Sequence, residues 1–149
     1  MRKASLLLIL VGGCMGLPIS AESTVWFPTP PLAQPKTRIL DTMVLCLKES
    51  GFEPEQRDDA LGGLTSKWRV MLRPQWREGR RERVEMKLEA AAGGRFVVRT
   101  RTVREINDSS RSPLIAAEAD WVEGGGNDDV SERITLMLKM KLAGLNMND

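Results

Sequence analysis

Residues 83–106 read RVEMKLEAAAGGRFVVRTRTVREI. On the way in, Val84, Met86, Leu88 and Ala90 alternate with Glu85, Lys87 and Glu89. On the way out, Phe96, Val98, Thr100 and Thr102 alternate with Arg99 and Arg101, beside Val97 and Val103. A period of two puts one set of side chains on a core and the other in water. Between the runs, Gly93-Gly94 supplies the positive φ that a tight hairpin turn requires. The stretch reads as an antiparallel hairpin with one wet face.

Upstream, residues 64–73 alternate as well. They predict one continuous half-buried strand, with Leu64, Ser66, Trp68, Val70 and Leu72 on one face. Lys67, Arg69, Met71 and Arg73 fall on the other. Residues 52–57 read as a short extended stretch, 58–63 as a turn cluster and 74–81 as a polar connection. Residues 107–127 look loop-like, with room for a short element at 116–121. A helix is predicted over 37–50, where Leu40, Met43, Val44 and Leu47 follow the i, i+3, i+4, i+7 rule and Gly51 stands ready as its C-terminal stop. A second starts near Asp128 or Asp129, with Val130, Ile134, Met137, Leu138 and Leu142 as its stripe. Its acids cluster at the first turn, and Lys139 and Lys141 lie near the end. This order predicts a single α+β domain, an antiparallel sheet of three to four strands packed on an N-terminal and a C-terminal helix.

Length and composition agree with one globular domain: 149 residues, 42% hydrophobic and 28% charged. There is no histidine, which excludes a histidine-based triad, a histidine general base and any histidine-ligated metal. Two cysteines, Cys14 and Cys46, cannot build an all-cysteine zinc site. Cys46 sits in a helical apolar pattern and reads as a buried small hydrophobe. The carboxylate pairs Asp58-Asp59 and Asp128-Asp129 stand at a turn and a helix start, where aspartate is common for capping. Residues 127–132 lack the spacing of a calcium loop, and no phosphate-binding glycine motif occurs. The expectation is a protein that is not an enzyme, with no catalytic residues, no cofactor and no metal.

The N-terminus says where the protein works. Met1-Arg2-Lys3 is a short cationic start, followed by an apolar run over 4–11, too short to span a bilayer. This is the pattern of an export signal. Two exits from it compete. Val11-Gly12-Gly13-Cys14 is similar to a bacterial lipobox, which would make 1–13 the signal peptide and Cys14 an acylated first residue (a palmitate-bearing membrane anchor). Ile19-Ser20-Ala21, behind Pro18, is an ordinary cleavage site, which would make 1–21 the signal peptide. Either cut removes Arg2 and Lys3 from a chain of 22 Lys+Arg and 20 Asp+Glu, leaving a formally neutral protein.

Residues 14–36 then read as the lipidated cysteine and a proline-rich tether, with Pro28, Pro30, Pro31 and Pro35 favouring an extended course. Val25, Trp26 and Phe27 form an apolar island within it, a candidate docking segment for a protein partner or a strip that folds back on the domain or a lipid surface. Residues 37–145 form the α+β domain, and 146–149 a disordered tail.

Between Ser66 and Arg104 stand 12 Lys+Arg against 4 Asp+Glu. Arg69, Arg73, Arg99 and Arg101 are candidates for an anion-binding sheet face. The competing reading is a solvated face on which Glu85 and Glu89 pair across strands with the cations. Nucleic acid is not expected: the signal takes the chain out of the cytoplasm, and no aromatic residue is seen to interleave the arginines.

The run from Ile39 through Gly51-Phe52, Asp58-Asp59 and Gly63-Leu64-Thr65-Ser66-Lys67-Trp68, with the hairpin and final helix after it, resembles the helix-grip domain of small envelope lipoproteins of the BamC type. The resemblance would cover 37–143. It implies a helix on an antiparallel sheet, an extended N-terminal segment that meets a partner, and an accessory role at the outer membrane facing the periplasm. BamC-type proteins carry two such domains on a long arm, whereas one domain and a short linker are seen here. The expected function is a non-enzymatic cell-envelope lipoprotein that binds an envelope protein and holds the membrane through its lipid. The alternative is a soluble periplasmic or secreted module that binds an anionic lipid or glycan through the arginine-rich face.

Overall fold

The computed structural model describes residues 25–144. The signal segment, Cys14 and the 146–149 tail lie outside the described residues. At the centre is the expected hairpin, β5 (Glu78–Ala91) and β6 (Arg95–Asn107), longer at its open end than the sequence pattern suggests. Gly93 and Gly94 close it at φ 71° and 68°, values a side chain would strain.

Around the hairpin run β1 (Phe27–Pro28), β2 (Pro54–Asp58), β3 (Gly63–Ser66), β4 (Arg69–Arg73) and β7 (Trp121–Gly126). The sheet therefore has seven antiparallel strands and not three to four, although two helices on a mostly strand domain remain broadly α+β. The count rises because each long strand is flanked by two short ones in a single row. Beside β5 lie β3 and then β4, and beside β6 lie β1 and then β7. Outermost is β2, paired only with β3.

The strand expected over 64–73 is broken by a β-bulge. Thr65 faces Glu85 and Arg69 faces Glu82, so Ser66, Lys67 and Trp68 oppose only Arg83 and Val84. Ser66 causes the break: its buried hydroxyl accepts from Val84 N at 2.9 Å, standing in for a main-chain ladder bond. One extra residue flips every later side chain. Val70 and Leu72, expected in the core, are exposed, and Arg69 turns inward.

Helices α1 (Lys36–Glu49) and α2 (Asp128–Leu142) lie side by side on one sheet face. α1 contributes Ile39, Leu40, Met43, Cys46 and Leu47 to the core, and α2 contributes Val130, Ile134, Leu138 and Leu142. They close on Leu64, Val84, Met86, Leu88 and Val98 of the sheet, with Phe52 and Leu32 at the margins. Each such side chain is worth about 1.5–3 kcal/mol of burial. The α1 stripe drifts one position from prediction, because Val44 sits at the edge of the core while Ile39 and Cys46 are fully buried. Asn127 caps α2, and Ser131 Oγ donates to Thr102 Oγ1 at 2.9 Å, tying the helix to β6.

From Val25 onward, the residues read as a tether run along the domain. Phe27 and Pro28 pair with Thr100 and Arg99, Thr29 N donates to Val98 O at 2.8 Å, and Leu32 is buried. Proline suits this row because an edge strand has no use for an outward N–H.

Candidate functional site

Both helices cover the same face of the sheet, and among the described residues no second layer covers the other. That outer face carries the odd-numbered residues of β5 and β6, with Trp26, Trp68 and Trp121 laid over them. Arg81 is clasped between two indoles, 4.5 Å from the Trp68 ring and 4.7 Å from the Trp121 ring. Its guanidinium also meets Glu105, with Nε 2.6 Å and Nη2 2.5 Å from Oε2. Arg83 reaches the same Trp68 ring at 4.7 Å and donates to Glu85. Glu85 also accepts from Arg101, which lies 4.4 Å from the Trp26 ring. Lys87 approaches that ring at 4.8 Å, and Arg99 Nε donates to Glu89 at 2.8 Å. Tryptophans and paired arginines thus run along the outer face of the β5–β6 hairpin. Each cation–π contact is worth about 0.5–1 kcal/mol where water reaches it.

The aromatic residues do interleave the arginines, contrary to the sequence reading. Trp68 sits in the bulge and Trp121 comes from β7, a strand hidden in a glycine-rich stretch. Of the three, only Trp26 stands out in the sequence as a candidate contact. The island it belongs to is divided: Val25 is exposed, Trp26 lies on the outer face, and Phe27 borders a groove against α2 with Pro28, Thr135 and Leu136.

The four arginine candidates are not brought together. Arg99 and Arg101 lie on the outer face with carboxylate partners. Arg69 lies on the helix side, 3.9 Å from the Phe52 ring, with Nη1 donating to Ser50 O at 3.3 Å. Arg73, opposite Glu78 in register, also falls on the helix side by parity. The cross-strand pairing of Glu85 with Arg101 and of Glu89 with Arg99 is present.

Beneath the Arg69 end lies Glu82, 1% exposed. Its carboxylate accepts from Arg104 Nε at 2.9 Å and Asn127 Nδ2 at 3.1 Å, with Arg69 Nη2 at 3.5 Å. Burial pushes this carboxyl up. The hydrogen bonds from Arg104 and Asn127 and the charges of Arg104 and Arg80 outweigh it and hold Glu82 below the usual glutamate range. Its partners Arg104, Asn127 and Arg69 tie β4, β5, β6 and the start of α2 together.

The end of the sheet at β4 and the β4–β5 turn is built differently. Arg73, Arg77 and Arg80 form no ion pair with another described residue, and Arg80 Nε is buried without a hydrogen-bond partner. Desolvation, then the repulsion of Arg73, lowers the affinity of Arg80 for its proton. Val70 and Leu72 are 45% and 46% exposed, and Trp76 on the turn is 69% exposed. Arg77 is the single non-glycine residue at positive φ among the described residues.

The remaining candidates have structural partners. Asp58 Oδ1 accepts from Leu61 N at 2.8 Å, closing a turn, and Asp59 pairs with Arg57, which also meets Asp41 at 2.8 Å. Asp128 and Asp129 open α2. Burial pushes the Cys46 thiol up to about 12, leaving no thiolate at neutral pH. Among the described residues no three acids or thiols converge as a metal site, and no helix is long and apolar enough to cross a membrane.

No protein-family model matches the chain, and no curated protein is significantly similar to it.

Proposed function

We propose that this is a non-enzymatic cell-envelope lipoprotein, anchored through Cys14 and facing the periplasm, whose outer sheet face binds a protein partner. The observation that carries the binding half is the ladder of Trp26, Trp68 and Trp121 among arginines on a face that the helices leave open. Tryptophan and arginine are the residues on which protein interfaces concentrate their energy. Because Arg81, Arg83, Arg99 and Arg101 already hold carboxylates, the middle of this face is polar and aromatic without being a free cationic field. That balance favours a protein over an anionic lipid or glycan. The export signal keeps nucleic acid out of this reading despite the interleaved indoles.

The anchor half rests on the lipobox-like Val11-Gly12-Gly13-Cys14 and on the BamC-type resemblance. Two or more acyl chains would hold the protein stably where one would be marginal. Intact mass spectrometry of the mature chain from the native membrane fraction tests it. A diacylglyceryl mass on Cys14 is expected. An unmodified start at Glu22 would overturn the anchor and leave a periplasmic or secreted binding module.

A further inference from the structure

We propose that β4 is an open docking strand, and that its occupant is an extended segment of a partner protein alternating acidic with apolar residues. The inference rests on the protein-binding reading above and adds the mode of docking and the chemistry of the partner.

The sheet has a notch. Beside β3 the next row is filled by β2, whereas beside β4 that row holds no described strand. On the side away from β5, residues 69–73 make no main-chain hydrogen bond with another described residue. An unpaired edge is a template for another strand unless something blunts it. The edge of β2 is blunted by Pro54, by Glu55 and by an irregularity between Pro54 and Gln56. That of β1 is two residues long and ends in Pro28. β4, Arg-Val-Met-Leu-Arg, has no proline, no bulge and no acid along its length.

The side chains specify what fits. On the outer face Val70 and Leu72 offer exposed apolar surface, continued by Trp76 at the turn. On the other, Arg73, opposite Glu78 in register, makes no ion pair, and Arg69 shares the buried Glu82 with Arg104, while Arg77 stands without an ion pair among the described residues just beyond. No carboxylate occurs between Arg69 and Arg77. An added strand with carboxylates facing Arg69 and Arg73, and apolar residues facing Val70 and Leu72, would satisfy both faces through cross-strand pairs. A second copy of this chain fits poorly. Antiparallel pairing of β4 with itself about Met71 sets Arg69 against Arg73, like charge on like. A membrane surface could take up Trp76 and the arginines but would leave the edge amides unpaired.

The test uses the mature full-length chain and four blocked synthetic peptides. One alternates glutamate with valine, the second replaces glutamate with lysine, and the third and fourth are the acidic peptide N-methylated at alternate amides in the two complementary registers. Calorimetry gives affinity and amide hydrogen exchange gives place. The acidic peptide is expected to bind, to weaken with added salt, and to slow exchange in β4. The lysine peptide should not bind, and at least one N-methyl register should lose about tenfold or more, since methylation removes ladder bonds and leaves charge intact. The double variant Arg73→Gln/Arg77→Gln should lose about tenfold with its thermal unfolding unchanged. Equal binding by every N-methyl register, or protection away from β4, overturns the proposal. So does failure of the acidic peptide while the same arginine variant abolishes association with phosphatidylglycerol vesicles, which would assign this end to a membrane. If the acidic peptide fails but a photo-cross-linker at Val70 still captures a protein in cells, docking on the edge is wrong and the protein-binding face survives. If both fail, both readings fall.

Discussion

In the middle of the outer sheet face, Arg81, Arg83 and Arg101 each have a carboxylate and an indole. At the β4–β5 end, Arg73 and Arg77 have neither an ion-paired carboxylate nor an indole among the described residues, and the apolar side chains beside them stand in water. β5 contributes to both regions, and arginine is plentiful in each, so composition does not separate them. Ion pairing does: Glu85, Glu89 and Glu105 hold Arg83, Arg101, Arg99 and Arg81, whereas Arg73 and Arg77 make no ion pair with a described residue, although Glu78 lies opposite Arg73 in register. A satisfied region is a scaffold that presents a fixed surface. An unsatisfied one has interactions left to make.

The comparison breaks first at Glu82. Glu82→Ala should cost about 3–5 kcal/mol in denaturant unfolding, because it leaves Arg69, Arg80 and Arg104 in a buried cluster without their carboxylate. Arg77→Ala at the exposed turn should stay within about 0.5 kcal/mol. Comparable losses would mean that the two regions do not differ in role.

A smaller effect is expected at the tryptophans. Trp68→Ala removes the ring that Arg81 and Arg83 share and should cost about 2 kcal/mol. Trp76→Ala should leave the melting temperature unchanged, as its ring is mostly in water. A destabilised Trp76 variant would show that the turn is part of the scaffold.

Acid should weaken the buried cluster around Glu82. Glu82 sits below its unfolded range, so its contribution is fully present above the unfolded value and is lost as pH falls through the lower folded one. Glu82→Gln should flatten stability against pH over that acidic window. An unchanged slope would place the acid sensitivity elsewhere. The smallest effect belongs to the exposed Arg99–Glu89 pair, where a double-mutant cycle should give at most about 1 kcal/mol.

The hairpin and the second helix were readable because their apolar periods run uninterrupted from Val84 to Leu88 and from Val130 to Leu142. The strand before the hairpin was readable only as far as Ser66. There a side chain replaced a main-chain bond, and the resulting bulge reversed the faces of Arg69, Val70 and Leu72. No periodicity rule anticipates a single inserted residue. β7 was missed because Gly124, Gly125 and Gly126 look like loop. Gly124 is needed for close approach, since a Cβ there would lie 2.7 Å from Ile106 Cγ1. β1 was missed because proline argued against a strand, an argument that fails on an edge row. The site suffered most from the same causes. Its arginines were visible, but the indoles that stack on them came from the bulge and from the two hidden strands.

The central claim is that the outer face, and not the helix layer, meets the partner. In the native host, a photo-cross-linking residue placed at Val70 and, separately, at Leu136 on α2 compares two exposed positions on opposite sides of the molecule. The account predicts a discrete protein adduct from position 70, lost on Trp68→Ala, and none from position 136. An adduct from 136 with none from 70 would contradict it.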